Sequence, residues 1–175
     1  MPRRRLLKKP PLTPDPVYNS PLVHKIVNHL MKKGKKSVAY TILYDAMKNI
    51  REITRRNPVK VIEEAVKNVT PKDEVKAKRI GGATYQIPLK VEAERGTTLS
   101  IRWLLSASRK KSGKFKTMVS KVTNELIEAS RNTGSAVGKR AEIQKIADTN
   151  RAFERFAKFK KKRKKRKKIL KPSYF

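Results

Sequence analysis

The sequence has no cysteine, no long apolar run and few acidic residues. Without cysteine the chain can form no disulfide and no thiolate metal site, and it has no thiol nucleophile. No uninterrupted apolar stretch approaches the roughly 20 residues that a membrane span requires. The basic start at residues 1–5 is not followed by the apolar segment of a secretory signal. We therefore expect a soluble protein that works in the compartment where it is made.

What the chain has is positive charge. Its 46 Lys and Arg residues outnumber 14 Asp and Glu residues, which gives the 175-residue chain a formal net charge of +32. Eleven cations and no acid occur between residues 158 and 171, and removing these eleven from +32 leaves +21 on the rest. A folded domain with this imbalance repels itself, so we expect a polyanion to complete it. The block at 158–171 cannot pack and is expected to be disordered when free.

Apolar residues at helical spacing predict six helices. Ser20 with Pro21, and Asn57 with Pro58, each place a capping residue before a proline suited to the first helical turn. The helices are expected from residue 20 to about 33, and at about 37–54, 58–70, 97–109, 116–131 and 135–156. Trp103, in the middle of the fourth helix, is expected to belong to the core.

One segment alternates with a period of two and predicts a β-hairpin at about 73–91. Val75 and Ala77 alternate with lysines on the first strand, and the return strand alternates from Tyr85 onwards. Between them, Gly81 and Gly82 supply a turn that tolerates positive φ. Residues 75–81 include three cations and no acid. This arm therefore cannot be buried, and we expect it to face a negative partner.

Together these elements predict a mainly α fold: a six-helix, bundle-like domain with one protruding β-hairpin arm. We place this domain at residues 20–156. It follows a proline-rich, basic, extended N-terminal arm at 1–19 and precedes a basic C-terminal tail at 157–175. A hydrophobic content of 37% is sufficient for a small helical core.

The sequence offers no convincing catalytic or metal-binding constellation. His24 and His29 are the only histidines, and a spacing of five residues does not place them on a shared helical face. Ser108 begins a Ser-x-x-Lys pattern that has no companion motif. Residues 34–37 resemble the end of a phosphate-binding loop, but Ser37 comes one residue late. We therefore expect no enzyme, and no bound cofactor, metal or small-molecule substrate.

Basic clusters instead mark several loops and helix ends, where flexible cations can reach phosphates without disturbing a core. The clusters are residues 3–5, 32–36, 76–79 and 109–116, together with Lys139 and Arg140. Each alone could be a solvated surface run. Together, with few acids between them, they favour a folded RNA surface. Tyr85 could equally pack on the hairpin or contact nucleic acid.

Several strings of residues resemble the bacterial-type family of small-subunit ribosomal protein number seven. The most specific string is Arg79-Ile80-Gly81-Gly82-Ala83-Thr84-Tyr85-Gln86-Ile87-Pro88 in the hairpin. Others are Asp15-Pro16-Val17-Tyr18, Gly34-Lys35-Lys36-Ser37, Asn68-Val69-Thr70-Pro71, Ile101-Arg102-Trp103-Leu104, Asn124-Glu125-Leu126 and Asn150-Arg151-Ala152-Phe153. The resemblance spans residues 1 to about 156. The chain departs from the family pattern around Gly138 and at Gln144.

This resemblance implies a structural, non-catalytic role in translation. Members of the family bind small-subunit rRNA directly at a multi-helix junction in the head of the subunit. They nucleate assembly of the head and extend the hairpin toward exit-site tRNA and mRNA. The resemblance also implies contact with platform protein number eleven across the exit site. Residues 34–40 and 57–59 are closer to plastid members, which favours a ribosome in the plastid stroma over one in a bacterial cytoplasm.

The basic clusters and the resemblance together assign candidate site residues. Those expected to bind rRNA are Arg3, Arg4, Arg5, Lys32, Lys33, Lys35, Lys36, Lys76, Arg102, Arg109, Lys110, Lys111, Lys114 and Lys116. Those expected to face exit-site tRNA and mRNA are Lys78, Arg79, Gly81, Gly82, Thr84, Tyr85, Lys139 and Arg140.

A DNA-bending architectural protein with basic β-arms is the alternative from another class. It would need a dimer and a proline wedge at the arm tip, whereas Pro88 lies six residues past the turn, on the return strand. A membrane-active cationic protein would need an apolar helix face opposite its cations. The basic tail has almost no such apolar face.

Overall fold

The computed structural model describes residues 13–111 and 116–157. In chain order it contains helices α1 (Pro21–Leu30), α2 (Lys36–Thr54) and α3 (Pro58–Val69), strands β1 (Asp73–Ile80) and β2 (Ala83–Lys90), and helices α4 (Ala93–Lys110), α5 (Met118–Ser130) and α6 (Ser135–Thr149). A 3-10 helix, Arg151–Ala157, follows α6. The prediction of a mainly helical fold with one β-hairpin is confirmed.

The core forms around α5, which packs against α2, α3 and α4. Each helix contributes the apolar face that its helical spacing produces. Leu43 and Met47 of α2, and Ile62 of α3, are completely buried there. Trp103 of α4 is 9% exposed and belongs to the same cluster, as expected.

The two helices that begin with proline start differently. Asn57 caps α3, because its side-chain oxygen accepts a hydrogen bond from the Val59 backbone N–H at 2.9 Å. Ser20 occupies the same position before α1 but makes no side-chain cap. Its carbonyl oxygen instead accepts a hydrogen bond from the Asp15 backbone N–H at 3.3 Å. The predicted start of α1 is therefore right, and the predicted side-chain cap is wrong.

Three helix boundaries differ from the sequence predictions. Helix α4 begins at Ala93, four residues early, although Gly96 is a poor helix former. A Cβ at Gly96 would lie 2.8 Å from Thr70 Cγ2, so the glycine allows α4 to pack closely there. Helix α1 ends at Leu30, before a turn in which Lys33 and Gly34 have positive φ. Helix α6 ends at Thr149, and the side-chain amide of the next residue, Asn150, donates a hydrogen bond to the Ile146 carbonyl.

The hairpin has the predicted register and turn. Its strands pair antiparallel from Asp73 opposite Lys90 to Ile80 opposite Ala83. Gly81 and Gly82 form the two-residue turn with φ of 57° and 92°, and this pair of positive angles suits a type I′ turn. The base of the arm is anchored by Ile87, which is 2% exposed.

The arm does not stand alone, because α6 and the 3-10 helix pack against it. Gln144 of α6 donates a hydrogen bond to Asp73 Oδ2 at 3.3 Å, near the base of the hairpin. At the outer end of the arm, Arg79 and residues 81–84 are exposed. Gln144, at which the chain departs from the family pattern, therefore connects α6 to the base of the hairpin.

Residues 13–20 are not a simple extended arm, because 16–18 form a turn. Asp15 holds this turn: its Oδ2 accepts hydrogen bonds from the backbone N–H groups of Val17 and Tyr18, at 3.2 and 3.0 Å. The Tyr44 hydroxyl of α2 donates to Asp15 Oδ1 at 2.9 Å. The extended conformation predicted for 1–19 is therefore wrong for this part.

Residues 1–12, 112–115 and 158–175 lie outside the described part of the chain. The predictions for Arg3, Arg4, Arg5 and Lys114, and for the tail at 157–175 beyond its first residue, concern these segments. The domain boundaries at 19/20 and 156/157 stay predictions. In the ranges 13–111 and 116–157, no helix is long and apolar enough to cross a membrane.

Candidate nucleic-acid interface

Three predicted cations from distant parts of the chain converge on one open concavity. Lys32 and Lys35 belong to the loop between α1 and α2, and Arg109 lies in the last turn of α4. All three side chains are exposed. The remaining lining residues are apolar, and they include Val38 and Met118. The concavity therefore presents positive charge, and none of the described residues that line it carries a carboxylate.

Arg102 extends this surface along α4. It lies seven residues before Arg109, so the two side chains share a helical face about 10 Å apart along the axis. Burial lowers the pKa of His29, and the nearby charges of Arg102 and Lys25 lower it further. Arg102 thus lies beside α1. We call Lys32, Lys35, Arg102 and Arg109, together with His29 of α1, the α1–α4 basic face.

The two other lysines of the α1–α2 loop flank this face. Lys33 is exposed and has a positive φ of 51°. Lys36 places its ammonium 5.7 Å from the centre of the Tyr40 ring, a cation–π distance. The Tyr40 hydroxyl lies 3.3 Å from His24 Nδ1. This chain of contacts connects the first turn of α2 with α1 and positions the loop.

Lys111 has a different role from its neighbours in the α4–α5 turn. Its ammonium lies 3.0 Å from Glu125 Oε2 and 2.7 Å from Glu128 Oε2. The Lys111 side chain is 15% exposed and the Glu125 side chain 0%. Burial by itself would lower the pKa of Lys111, but hydrogen bonds from the ammonium to Glu128 and Glu125 outweigh it and raise the pKa.

Glu125 links this ion cluster to the next helix. Its Oε1 accepts a hydrogen bond from the Ala136 backbone N–H, in the first turn of α6, at 3.0 Å. Lys111 therefore joins the ends of α4, α5 and α6, and its charge is directed inward. The candidate phosphate contacts that the structure leaves exposed in this turn are Arg109, Lys110 and Lys116.

In the hairpin, the predicted cations have partners within the protein. Lys76 lies 2.5 Å from Glu74 Oε1, and Arg95 of α4 lies 3.2 Å from Glu74 Oε2. Burial alone would raise the pKa of Glu74, but its hydrogen bonds with Lys76 and Arg95 lower it. Lys76 still exposes 58% of its side chain.

The predicted exit-site residues of the hairpin divide into two groups. Lys78 donates a hydrogen bond to the Phe156 carbonyl at 2.8 Å, and the Tyr85 ring lies 5.0 Å from that of Phe153. Tyr85 therefore packs against the 3-10 helix. Lys78, which the sequence predicted to face exit-site tRNA and mRNA, also holds the arm to the 3-10 helix. Arg79, Gly81, Gly82 and Thr84 form the exposed tip.

The last pair of predicted exit-site residues also divides. Lys139 is exposed. Arg140 is half-buried and donates a short hydrogen bond from Nη1 to the Asn68 carbonyl near the end of α3. The Asn68 side chain in turn donates to the carbonyls of Ala129 and Ser130 at the end of α5, at 3.0 and 2.9 Å. Arg140 and Asn68 thus connect α6 to the ends of α3 and α5.

The sequence predictions missed one cluster of cations, Arg51, Arg55 and Arg56, between α2 and α3. Two of these arginines are four residues apart in sequence, and this spacing was the available signal. In residues 13–111 and 116–157, no group of three or more His, Asp and Glu residues could hold a metal ion.

Comparison with known proteins accounts for this combination of fold and basic surface. The family model for "Ribosomal protein S7p/S5e" matches residues 2–151. The small ribosomal subunit protein uS7c of Ostreococcus tauri is 55% identical over 156 residues, which cover 89% of this chain and 99% of the relative. The uS7c protein of Chlorella vulgaris is 52% identical over a match that covers 89% of this chain and 99% of the relative. The uS7 protein of Gloeothece citriformis is 50% identical, again over 89% of this chain and 99% of the relative.

These matches reach both plastid and cyanobacterial proteins and extend over nearly the full length of each relative. They confirm the family resemblance seen in the sequence and the expectation that the protein is structural and not an enzyme. The chain belongs to the ribosomal protein S7p/S5e family of structural proteins of the small ribosomal subunit.

Proposed function

We propose that this protein binds small-subunit rRNA directly through the α1–α4 basic face and the basic loops that flank it. The observation that carries the proposal is the convergence of Lys32, Lys35 and Arg109, from separate segments, on one concavity without a carboxylate. Such a surface suits phosphates of a folded RNA, because RNA is recognised through its shape, its backbone and its exposed bases.

By this proposal, rRNA binding at a junction in the head nucleates assembly of that part of the subunit. The exposed hairpin tip then lies near exit-site tRNA and mRNA, with platform protein number eleven across the site. The support is the family membership together with the exposure of Arg79, Gly81, Gly82 and Thr84 beyond the packed base of the arm. A plastid ribosome is favoured over a bacterial one on the resemblance of residues 34–40 and 57–59 to plastid members, whereas the relatives themselves include uS7c and cyanobacterial uS7 proteins at similar identities.

The test is binding of the full-length protein to a transcript of the head rRNA. Because many cations contact phosphates, affinity should fall on the order of a thousandfold between low and moderate salt. Excess duplex DNA should compete poorly, since shape and exposed bases add to charge. An affinity insensitive to salt would contradict the proposal, and equal competition by DNA would favour the architectural alternative.

A further inference from the structure

A second basic surface lies at the far end of α2 from the α1–α4 basic face. Arg51 and Arg55 at the end of α2, and Arg56 in the loop to α3, line a cleft whose opposite wall includes Tyr18. We call it the arginine cleft. Helix α2 has 19 residues, so this end lies about 27 Å from Lys36 at the other. One short RNA segment on the first surface would not fill the cleft.

The charges in the cleft are only partly compensated within the protein. Arg56 pairs with Glu64 at 2.5 Å. In the part of the chain that the structure describes, neither Arg51 nor Arg55 forms an ion pair, and both are exposed. Like charges four residues apart on a helix repel each other. A bound anion would remove that repulsion.

The position of Arg55 adds to this argument. It is the C-cap of α2 and has φ of 51° and ψ of 22°, in the left-handed region. Glycine or asparagine usually occupies such a position, because a larger side chain is strained there. The chain therefore carries a long cation where a smaller residue would be more stable.

The opposite wall of the cleft is built and held in place. Tyr18 is the last residue of the turn that Asp15 fixes, and Asp15 is 1% exposed with three hydrogen bonds to its carboxylate. The Tyr18 ring contacts that of Tyr44 at 5.8 Å. The cleft thus combines a fixed aromatic wall with guanidinium groups on the other side.

We propose that the arginine cleft binds backbone phosphates of a second rRNA segment, separate from the segment on the α1–α4 basic face. Guanidinium groups suit this ligand because they can donate two hydrogen bonds to one phosphate. The surface suits a protein partner less well. Val17 is a large, exposed apolar residue of the cleft lining, whereas the exposed Ile53 does not line the cleft. Single exposed apolar residues are common on protein surfaces and do not by themselves mark a protein-binding site. The proposal rests on the proposed rRNA binding.

The test compares Arg51→Gln/Arg55→Gln with Lys48→Gln/Lys60→Gln in the full-length protein. The control lysines are exposed, lie on α2 and α3, and do not line the cleft. Bound head rRNA is mapped by hydroxyl-radical footprinting. The arginine variant should lose one set of rRNA protections and bind the rRNA about tenfold more weakly. The slope of log affinity against log salt concentration should become shallower by about 1.4 to 1.8, as expected for two lost phosphate contacts. The lysine control should keep every protection.

Arg55→Gly separates loss of contact from loss of fold. Glycine relieves the left-handed conformation, so this variant should unfold at no lower temperature and still lose part of the same protections. Protections unchanged in both arginine variants would overturn the proposal. So would loss of a cross-link to another ribosomal protein with the RNA footprint intact. A wild-type protein that protects no rRNA would instead contradict the proposed function itself.

Discussion

The α1–α4 basic face and the hairpin arm are both rich in cations, but their cations differ in partner. In the described residues, Lys32, Lys35, Arg102 and Arg109 form no ion pair. In the arm, Lys76 pairs with Glu74, Lys78 donates to the Phe156 carbonyl, and Arg79 donates to the Gly82 carbonyl at 3.3 Å. The helical body therefore offers charge to a ligand, whereas the arm uses part of its charge to hold its own shape.

This difference predicts that the α1–α4 basic face supplies more of the affinity for RNA than the arm does. Exposed cations without protein partners can exchange counterions for phosphates, which is the main source of affinity for nucleic acid. Cations that already have partners add less, because they must give up one contact to gain another. The same distinction separates Arg109 from Lys111, which lie two residues apart in sequence.

The largest expected effect comes from removing charge from the body. Arg102→Gln/Arg109→Gln should weaken binding to the head rRNA by roughly 10- to 100-fold at low salt, because two phosphate contacts are lost. Filter binding over a salt series measures both the affinity and the slope. Removing two arm cations by Lys76→Gln/Arg79→Gln is the matched comparison and should cost less. An equal or larger loss from the arm variant would overturn the division between body and arm.

The second prediction tests the inward role of Lys111. Lys111→Met leaves Glu125 buried beside a neutral side chain, and breaking a buried ion pair in this way typically costs about 3–5 kcal/mol. Urea denaturation should show a loss in that range. Lys110→Met is the matched control, since Lys110 is exposed, and it should change the free energy of unfolding by less than about 0.5 kcal/mol. Equal stability of the two variants would show that Lys111 is not a structural cation.

Local pattern was enough to predict the hairpin and most helices. Strand alternation with Gly81 and Gly82 determined the register, because a slip by one residue would reverse every side chain. The start of α4 was missed because a glycine normally argues against a helix. The reason that Gly96 lies inside this helix is its close packing against Thr70, a residue distant in sequence. The change from α6 to the 3-10 helix was missed as well, since both segments continue the same apolar spacing.

The sequence was enough to predict which residue types form the candidate site, but not the direction in which their side chains point. Sequence clusters identified Lys32, Lys35 and Arg109 as basic, yet nothing local indicated that they share one concavity. The local sequence also gave no sign that the Arg140 side chain would donate a hydrogen bond to the Asn68 carbonyl. These roles depend on long-range partners, and a run of cations looks the same whether it faces carboxylates or solvent.

The third prediction sharpens the role of the arm. Deleting Arg79, Ile80, Ala83 and Thr84 removes two paired positions and keeps the glycine turn, so that the turn follows the Lys78–Tyr85 pair in register. Contacts at the base remain, and we expect little loss of stability. If the tip borders tRNA and mRNA, cells with only the shortened form should assemble small subunits normally but hold exit-site tRNA less well and shift reading frame more often.

A subunit profile and a frameshift reporter measure these two outcomes. The matched control keeps the full arm and carries Gln86→Ala, an exposed position on β2 outside the tip where a small change should have little effect. Normal frame maintenance with the shortened arm would contradict the proposed role of the tip. Failure to form subunits would make the arm an element of assembly.

The smallest expected effect concerns His29, the titratable residue that we include in the α1–α4 basic face. Its pKa is lowered in the folded protein by burial, Arg102 and Lys25. Because the unfolded chain binds the proton more readily, this histidine should reduce the stability of the free protein as pH falls below about 6.5. A phosphate bound at Arg102 would offset the positive charge and favour the protonated ring.

Affinity for rRNA should therefore rise as pH falls from 7.5 to 5.5, because a bound phosphate favours the protonated ring. His29→Gln should abolish that rise, whereas His24→Gln should keep it, because His24 contacts Tyr40 on the neighbouring helix. Binding of the head rRNA over this pH range at constant ionic strength measures the effect. A pH dependence that survives in His29→Gln would place the bound phosphates away from Arg102.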